Sequence, residues 1–501
     1  MTSREGRGGL SQAARLVVGV VALPLVLAGV VFGQGLGSGV ILGRGPRLGT
    51  GSRVRVELKA RGLFRPGIPP GFGSRAVKMP KPLALEVETR LIFSERAVLV
   101  GREGRLVDAR EASTLGLKPG EGGRTVQVVR QVIQAASAIN GEVRPQAAAI
   151  RPTVALLVAQ RPEPGGPVVV ASPGGPLTRS ELELVQGLGD PLALADLLPE
   201  QAVAQGSRYK PSLGGALAIS GYDTVTVSTL EGVVEALDER SCRLKISGRI
   251  EGQVLGGSGV MTCDGFLTYD RKHGWLDRLE MNRMEVRQPG PIEAGLEVKS
   301  TLTASRQAES PPATLSDQGL AGTSLAITPE RLLLRQSGPG GASVLFHDRD
   351  WHVFWEDSKV VVLKRLDRGR VVAQLNLSPA PAAGQARRQD PAVFREDVRK
   401  ALKDRFVRVI GEGDVAGDPA GGRRYKVGIE GREGNLPIVW YYYLATSPGG
   451  DQLLATFTLA AAAAAQFGDR DEAIMASLRW ETAARGDKLG SGAAAPVPRR
   501  Q

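Results

Sequence analysis

The sequence is poor in the residues on which most catalytic and metal sites depend. Its 501 residues include three histidines and two cysteines. A Ser-His-Asp triad has few histidines to draw on, and the Gly-x-Ser-x-Gly turn that presents the serine in many hydrolases does not occur. The pattern Gly-x-x-x-x-Gly-Lys-Ser/Thr is also missing, which excludes a P-loop nucleotide enzyme. We therefore expect no catalytic residues, no cofactor and no metal, and a protein that is not an enzyme.

Three patterns resemble sites but have simpler structural explanations. Gly411 to Ala416 fits a Gly-x-Gly-x-x-Ala fingerprint, but a glycine-rich loop follows where a dinucleotide site needs a helix. His347 and His352 flank two aspartates, yet residues five apart on a strand point to opposite faces. Glu86 and Glu88 share one face of a strand, as a solvated amphipathic strand requires. We interpret all three as structural.

The long apolar run of the chain lies at its amino terminus. Leu16 to Phe32 carries no charge, and it is preceded by the arginines Arg4, Arg7 and Arg15. The small residues Gly33-Gln34-Gly35 follow, which is the layout of a secretory signal peptide. We predict a cleaved signal over residues 1–33 and an extracytoplasmic protein, periplasmic or secreted. Retention of the segment as an anchor is the alternative.

The charge of the chain is positive but scattered. The formal net charge is +12, and arginine far outnumbers lysine. Attraction to an anionic partner is one interpretation, and a coding bias towards arginine is the simpler one, because no run of five basic residues occurs. Basic and aromatic residues are not interleaved, so we expect no nucleic-acid partner. We expect membrane contact only through the signal segment, if it stays uncleaved.

The two cysteines leave a disulfide open. Export would permit a bridge between Cys242 and Cys263, which both lie in predicted strands. A turn centred on Gly252-Gln253 would bring the two together. The stronger turn signal, Gly256 to Gly259, would leave them far apart. The sequence alone does not decide between these turns.

Alternation and composition divide the chain into segments. Arg53 to Lys59 and Leu83 to Thr89 alternate as half-buried strands, whereas Val126, Val129, Val132/Ile133, Ala136 and Ile139 recur at helical spacing. Long strands follow from Gly221 to Val286. The predicted organisation is a signal peptide (1–33), a flexible linker (34–51), a β-rich domain (52–306), a second linker (307–340), an α+β domain (341–482) and a disordered tail (483–501).

The carboxy-terminal domain resembles the PsbP-like fold. The resemblance rests on the order of elements and on the following markers: the strand with Trp351, the strand Arg370 to Gln374, the helix that begins at Asp390-Pro391, the strand Trp440-Tyr441-Tyr442, and the last helix from Phe467 to Leu478. It implies an α/β/α sandwich around an antiparallel sheet. Domains of that fold mostly bind other molecules or support assemblies without catalysing a reaction.

The amino-terminal domain resembles uncharacterised exported bacterial proteins. The markers are Gly175-Pro176-Leu177-Thr178 with Glu181, Leu197-Leu198-Pro199, Gly206 to Tyr209, and the strand with Gly248 and Gly252. Its sheet is also similar in outline to the half-barrel of the lipoprotein carriers LolA and LolB. The predicted fold class is α+β, with a curved antiparallel sheet and flanking helices followed by the PsbP-like α/β/α sandwich.

One strand is rich enough in aromatic residues to suggest a contact surface. Trp440, Tyr441, Tyr442 and Tyr443 are consecutive, so aromatic side chains point to both faces of the sheet. One face must pack into the core, and the other could contact a ligand or a partner. Core packing is the simpler interpretation.

The hypothesis that follows is an exported, non-catalytic protein that binds another macromolecule of the bacterial cell envelope or has a structural function there. The alternative is a periplasmic carrier that holds an apolar ligand in the concave amino-terminal sheet. The identity of either partner is not encoded in any recognisable motif.

Overall fold

The structure is a computed structural model that describes residues 39–43, 48–66, 81–101, 103–107, 125–143, 149–161, 166–381, 390–415 and 422–481. By their contacts, the described residues from Val40 onward form one compact unit. The predicted signal peptide (1–33) and tail (483–501) lie outside the described residues. The predicted domain boundaries stay predictions.

Fourteen strands of the described chain form the large amino-terminal sheet. They are β1 (Gly51–Arg65), β2 (Leu83–Val100), β3 (Leu106–Val107), β4 (Thr125–Ile139), β5 (Glu142–Val143), β6 (Leu156–Gln160), β7 (Val169–Ala171), β8 (Arg208–Tyr209), β9 (Thr224–Ser228), β10 (Glu231–Leu237), β11 (Ser241–Val254), β12 (Gly257–Asp270), β13 (Trp275–Arg287) and β14 (Gly295–Ala308).

Ten further strands follow along the chain and build two smaller sheets. They are β15 (Leu334–Ser337), β16 (Ser343–His347), β17 (Trp351–Glu356), β18 (Val361–Asp367), β19 (Arg370–Ala380), β20 (Phe406–Val415), β21 (Arg423–Glu433), β22 (Leu436–Thr446), β23 (Gln452–Ala460) and β24 (Arg479–Trp480).

The described helices are short. The α-helices are α1 (Arg179–Val185), α2 (Pro191–Leu194), α3 (Leu213–Ser220), α4 (Asp317–Leu320), α5 (Pro329–Leu332), α6 (Pro391–Leu402), α7 (Ala464–Phe467) and α8 (Arg470–Ala476). The 3-10 turns are Pro152–Val154, Ala195–Leu197, Ala313–Leu315, Pro339–Gly341, Lys403–Arg405 and Ala461–Ala463. Among the described helices, none combines the length and the apolar character that crossing a membrane requires.

Antiparallel pairing organises all three sheets. The main path of the large sheet runs β7-β6-β4-β2-β1-β14-β13-β12-β11-β10-β8. Its centre joins the first long strands to the last one, because β1 pairs with both β2 and β14. The second sheet has the order β15-β16-β24, and the third has the order β17-β18-β19-β23-β22-β21-β20.

The predicted α+β fold class is wrong. Strands make up 54% and helices 18% of the described chain, so the protein is mostly β with large antiparallel sheets. The prediction was a curved sheet with flanking helices, followed by an α/β/α sandwich. It contains more helix than the structure does. The longest described helix, α6, has 12 residues.

The largest single error concerns Val126 to Ile139, which we predicted as a helix. This segment is the strand β4, and it pairs with β2 over almost its whole length. Its valines and isoleucines are β-branched and favour strands. The Asn140-Gly141 pair that follows has φ values of 52° and 79° and closes the hairpin between β4 and β5. Positive φ at both positions is the geometry that Asn-Gly adopts in a tight hairpin turn.

One face of the large sheet carries the main apolar core. Alternate residues of the long strands, such as Leu244, Met261, Met281 and Leu302, are buried there against the segment that includes Leu194 to Ile219. The opposite face carries the intervening polar residues. The third sheet is packed on both faces, by Phe394, Val398 and Leu402 of α6 on one side and by Phe467 and the residues of α8 on the other.

A buried ionic network attaches α2 to the large sheet. Arg130 of β4 is nearly inaccessible and donates two hydrogen bonds of 2.7 Å to the carboxylate of Asp190, the residue that caps α2. Arg130 also contacts Glu95 at 3.2 Å, and Arg306 reaches the other oxygen of Glu95 at 2.6 Å. The two carboxylates raise the pKa of Arg130 further despite its burial. Two cations therefore face two anions away from water.

Two arginines join the amino-terminal sheet and the helix α1 to the turn between β16 and β17. Arg179 donates from its guanidinium to the backbone carbonyls of Arg349 and Trp351. Arg349 donates in turn to the carbonyls of Leu332 and Val170. Backbone carbonyls carry only partial charges, so they do not neutralise the two guanidinium groups. Neither group has a carboxylate of the described residues in direct contact, and burial lowers the pKa of each.

Two histidines lie beside this cationic junction. His347 is 2% exposed, and its Nδ1 hydrogen-bonds to the carbonyl of Asp348 at 2.7 Å. Burial lowers the pKa of His347 to about 4. Burial, with Arg179 and His347 close by, also lowers the pKa of His352 to about 4. Both rings are therefore neutral near neutral pH.

We predict that Arg130→Met destabilises the protein by about 3–5 kcal/mol, because it leaves Glu95 and Asp190 buried without a counter-charge. Arg55→Met is the control, since Arg55 pairs with Glu57 at 2.6 Å on the solvent face. It should cost less than about 1 kcal/mol. Urea denaturation of the three proteins measures both effects. Equal midpoints for the two variants would contradict the network's contribution.

We predict that stability falls as the pH is lowered from about 6.5 to about 4. In that range the unfolded chain protonates His347 and His352, whereas the folded chain keeps them neutral, so protons favour unfolding. His347→Gln should reduce the pH slope of the unfolding free energy by about 1.4 kcal/mol per pH unit. Urea unfolding at about pH 5 and about pH 7 measures this slope. An unchanged slope in the variant would show that His347 is protonated equally in both states.

Candidate functional site

A groove of about 880 Å³ crosses the polar face of the large sheet. Three consecutive residues from each of five neighbouring strands line it, in the order β2, β1, β14, β13, β12. The segments are Glu86–Glu88, Lys59–Arg61, Lys299–Thr301, Asn282–Met284 and Thr262–Asp264. We call this the sheet groove.

Strand register explains the shape of the sheet groove. Ala60 lies opposite Ser300, which lies opposite Arg283, which lies opposite Cys263. These middle residues are buried and point into the core, so their backbone forms the floor while the residues on either side form two walls. Four inter-strand steps make the sheet groove about 19 Å long, and two residues along a strand separate its walls by about 7 Å.

Most charges that line the sheet groove are already paired. Arg61 contacts Glu86 at 2.6 Å, and Lys59 contacts Glu88 at 3.6 Å. The pairs are cross-strand neighbours, which gives each of them modest stabilising energy at an exposed site. The two glutamates are therefore held as counter-ions and not as a free acid–base pair.

The middle of the sheet groove is different. Lys299 makes no ion pair with any described residue, and it lies between Arg61 and the exposed side chain of Met284. Thr301 and Asn282 are short side chains that hydrogen-bond to each other at 3.0 Å. The short side chains of Thr301 and Asn282 leave the space of the sheet groove open. Lys299 contributes one cation to it, and Met284 contributes one flexible apolar contact.

The residues beneath the floor do not form a nucleophilic centre. Burial raises the pKa of the Cys263 thiol to about 11, although Arg283 is nearby. A thiol with that pKa stays protonated near neutral pH, and the thiolate is the reactive form. Burial also lowers the pKa of Arg283, whose Nε and Nη1 have no hydrogen-bond partner among the described residues.

The disulfide that the sequence left open does not form. Cys242 and Cys263 are both free thiols. The register places Cys242 opposite Tyr269 and Cys263 opposite Gly248, six residues away along the ladder. Six residues of strand span about 20 Å, well beyond the reach of a disulfide. The hairpin turns at Leu255-Gly256, next to the stronger turn signal, Gly256 to Gly259, and not at Gly252-Gln253.

The aromatic strand is core and offers no open contact surface. Trp440 is 6% exposed and packs on the face covered by α6, together with the half-buried Tyr442. Tyr443 is fully buried on the opposite face, and its hydroxyl donates to Asp471 at 2.6 Å. Tyr441 is half-buried beneath the ammonium of Lys426. Because β22 has a strand on each side and cover on both faces, core packing, the simpler of the two interpretations, fits this strand. The possible contact with a ligand or partner stays a prediction.

Sequence reasoning missed the residues that do form open surfaces. Lys299 and Met284 belong to a strand pair whose register is fixed only by folding, so no local signal marked them. Trp355 is 56% exposed on the edge strand β17, next to the partly exposed Phe354. Its sequence neighbours are those of an ordinary strand, and the position of β17 at the edge of the sheet leaves Trp355 in solvent.

Comparison with known proteins gives distant structural likenesses only. No protein-family model matches the chain, and no curated protein sequence matches it. A protein from Bacteroides thetaiotaomicron is 14% identical over 30% of this chain, which spans 48% of that protein, with a TM-score of 0.22. Lipovitellin, known from a structure of its lipid–protein interactions, is 8% identical over 54% of this chain and 26% of its own, with a TM-score of 0.29.

The PsbP likeness expected from the sequence is confirmed in part. The cyanobacterial PsbP protein of Synechocystis sp. PCC 6803 is 14% identical over 30% of this chain and 92% of its own length, with a TM-score of 0.23. The likeness extends over part of the chain only and carries no information on function.

Proposed function

We propose that this chain is an exported, non-catalytic binding protein of the bacterial cell envelope, and that the sheet groove is its partner-binding surface. The observation that carries the proposal is the open groove of about 880 Å³, which crosses five strands of the polar sheet face. The export signal in the sequence supports the location, and the resemblance to exported bacterial proteins agrees with it.

The dimensions of the sheet groove suit an extended segment of a macromolecule. A length of about 19 Å matches five to six residues of extended chain, at roughly 3.3–3.6 Å per residue. The floor is backbone and the walls are side chains, so a ligand would meet paired charges at the β1–β2 end of the sheet groove. Lys299 and Met284 would give it one unneutralised cation and one apolar contact at the centre.

The alternative, a carrier of an apolar ligand, needs an open apolar face. In the described part of the chain, the face opposite the sheet groove is filled by the main core, which includes Leu244, Met261, Met281 and Leu302. A ligand there would have to displace packed side chains, at a cost of several kcal/mol. We therefore favour the polar face. The likeness to LolA and LolB stays a prediction.

The test is capture of partners from envelope extracts by the full-length protein and two double variants. Met284→Glu with Lys299→Glu should reduce recovery of the partner at least tenfold, because it removes the central cation and the apolar contact. Leu213→Glu with Lys210→Glu is the matched control, because both residues are exposed. Lys210 follows β8 at the edge of the large sheet, and Leu213 begins α3. It should capture as the unchanged protein does.

Two results would contradict the proposal. Capture of no partner at any salt concentration would count against a binding protein. Equal capture by both double variants would show that the protein binds a partner at a surface other than the sheet groove.

A further inference from the structure

The central strands of the third sheet carry uncharged polar residues on one face. Gln374 and Asn376 belong to β19, and Thr456 and Thr458 belong to β23, its neighbour in the interior of the sheet. Gln374 lies opposite Thr458 and Asn376 lies opposite Thr456, so all four side chains share a face. They are about 5 Å apart across the strands and about 7 Å apart along them. We call these four residues the polar platform.

The helix α6 covers only part of this face. It packs on Val427, Ile429 and Trp440, which belong to β21 and β22. The four residues of the polar platform are half-buried. On the other face of the same two strands, side chains such as Leu375 and Phe457 are inaccessible core. Solvent therefore reaches the polar platform, whereas the opposite face of β19 and β23 is closed.

The polar platform has hydrogen-bonding groups to offer. Gln374 donates from Nε2 to Oδ1 of Asn376 at 3.0 Å, which leaves Oε1 of Gln374 as an acceptor and Nδ2 of Asn376 as a donor. The hydroxyls of Thr456 and Thr458 make no hydrogen bond with any described residue, and each can both donate and accept. Uncharged groups of this kind are typical of sites that orient small polar ligands.

A buried cation borders the polar platform. Lys364 of β18 lies opposite Gln374 and is 6% exposed. Its ammonium donates to the carbonyl of Pro291 at 3.0 Å and lies 3.2 Å from the centre of the Phe354 ring. Lysine has three N–H donors, so the carbonyl and the ring leave one for a ligand. Lys364 makes no ion pair with any described residue, and burial lowers its pKa. Because a buried charge gains most from a counter-ion, this corner favours an anionic group.

Phe354 gives the same corner an apolar surface. It is 38% exposed on the edge strand β17. The faces of aromatic rings contact the C–H groups of sugar rings, while the sugar hydroxyls need partners that donate and accept hydrogen bonds. A neutral sugar would leave the charge of Lys364 unmatched, and a simple anion would make no use of the polar platform. A sugar that carries a carboxylate matches both.

We propose that the polar platform and Lys364 together bind an acidic sugar. The hydroxyls of the sugar hydrogen-bond to the amides and hydroxyls of the polar platform, and its carboxylate accepts from the ammonium of Lys364. The site lies on the third sheet, and the sheet groove lies on the large one. It is therefore independent of the proposed function, and either proposal can fail while the other holds.

The methyl signals of threonine in the full-length protein test this contact locally by NMR. Thr456→Val and Thr458→Val, made one at a time, assign the two signals. Added glucuronate should shift both of them in the unchanged protein. Thr268 and Thr303, which are half-buried on the polar face of the large sheet, should not respond. Glucose should need an about tenfold higher concentration for the same shift, because it lacks the charged contact with Lys364.

Substitutions separate the polar platform from the cation, with calorimetric titration of glucuronate as the measurement. Thr456→Val with Thr458→Val removes two hydroxyls and should weaken binding about tenfold. Thr268→Val with Thr303→Val is the matched control, since it removes two hydroxyls from another sheet face, and it should bind as the unchanged protein does. Lys364→Met should lower the affinity for glucuronate to that for glucose.

Three results would overturn the proposal. The first is the absence of any shift at Thr456 and Thr458 with either sugar. The second is an equal shift of all four threonines, or an equal loss of glucuronate binding in both double variants, because the contact would then lie elsewhere. The third is acetate that binds as tightly as glucuronate, because the polar platform would then contribute nothing to binding.

Discussion

Everything in the amino-terminal part of the molecule depends on the two-residue period of its long antiparallel strands. Five strands cross in continuous register from β2 to β12, so each row of residues across the sheet belongs to one face. The row that contains Ala60, Ser300, Arg283 and Cys263 points inward, and the rows on either side point to solvent. A shift of one residue in any pair would exchange the two faces. The core and the sheet groove are two consequences of this one register.

Ionic interactions serve different purposes on the two sides of that sheet. On the polar face they are exposed cross-strand pairs, such as Arg61 with Glu86, and each contributes little because water screens it. On the buried side, Arg130, Arg306, Glu95 and Asp190 neutralise one another out of water. The pairing there is required, since any one of the four groups left alone would be an uncompensated buried charge. The junction around Arg179 is a third case, because carbonyl oxygens hold its guanidinium.

How much of this could be predicted from the sequence depended on whether the signal was local. The alternation of Arg53 to Lys59 was legible, because neighbouring residues alone determine it. The segment Val126 to Ile139 was not, since its apolar residues fit both periods and only pairing with β2 decides between them. Asn140-Gly141 was the one local indication of a hairpin. The same pair also occurs at the ends of helices, so it did not distinguish the two structures.

The candidate site was harder to predict than the fold. The sheet groove joins residues as far apart in sequence as Lys59 and Lys299, and nothing in either segment indicates the other. The aromatic run Trp440 to Tyr443 gave the stronger local signal, and it proved to be core because β22 is an interior strand with both faces covered. The exposure of a strand's side chains depends on where the strand lies in the sheet, and the composition of the strand does not indicate that position.

The central claim is that the polar face of the large sheet is the working surface of this protein. Lysine footprinting of the full-length protein, with and without envelope extract, tests it most directly. An amine-reactive probe should modify Lys299 and Lys210 in the isolated protein, and the extract should protect Lys299 while Lys210 stays reactive. Equal reactivity of Lys299 in the presence and absence of extract would contradict the account.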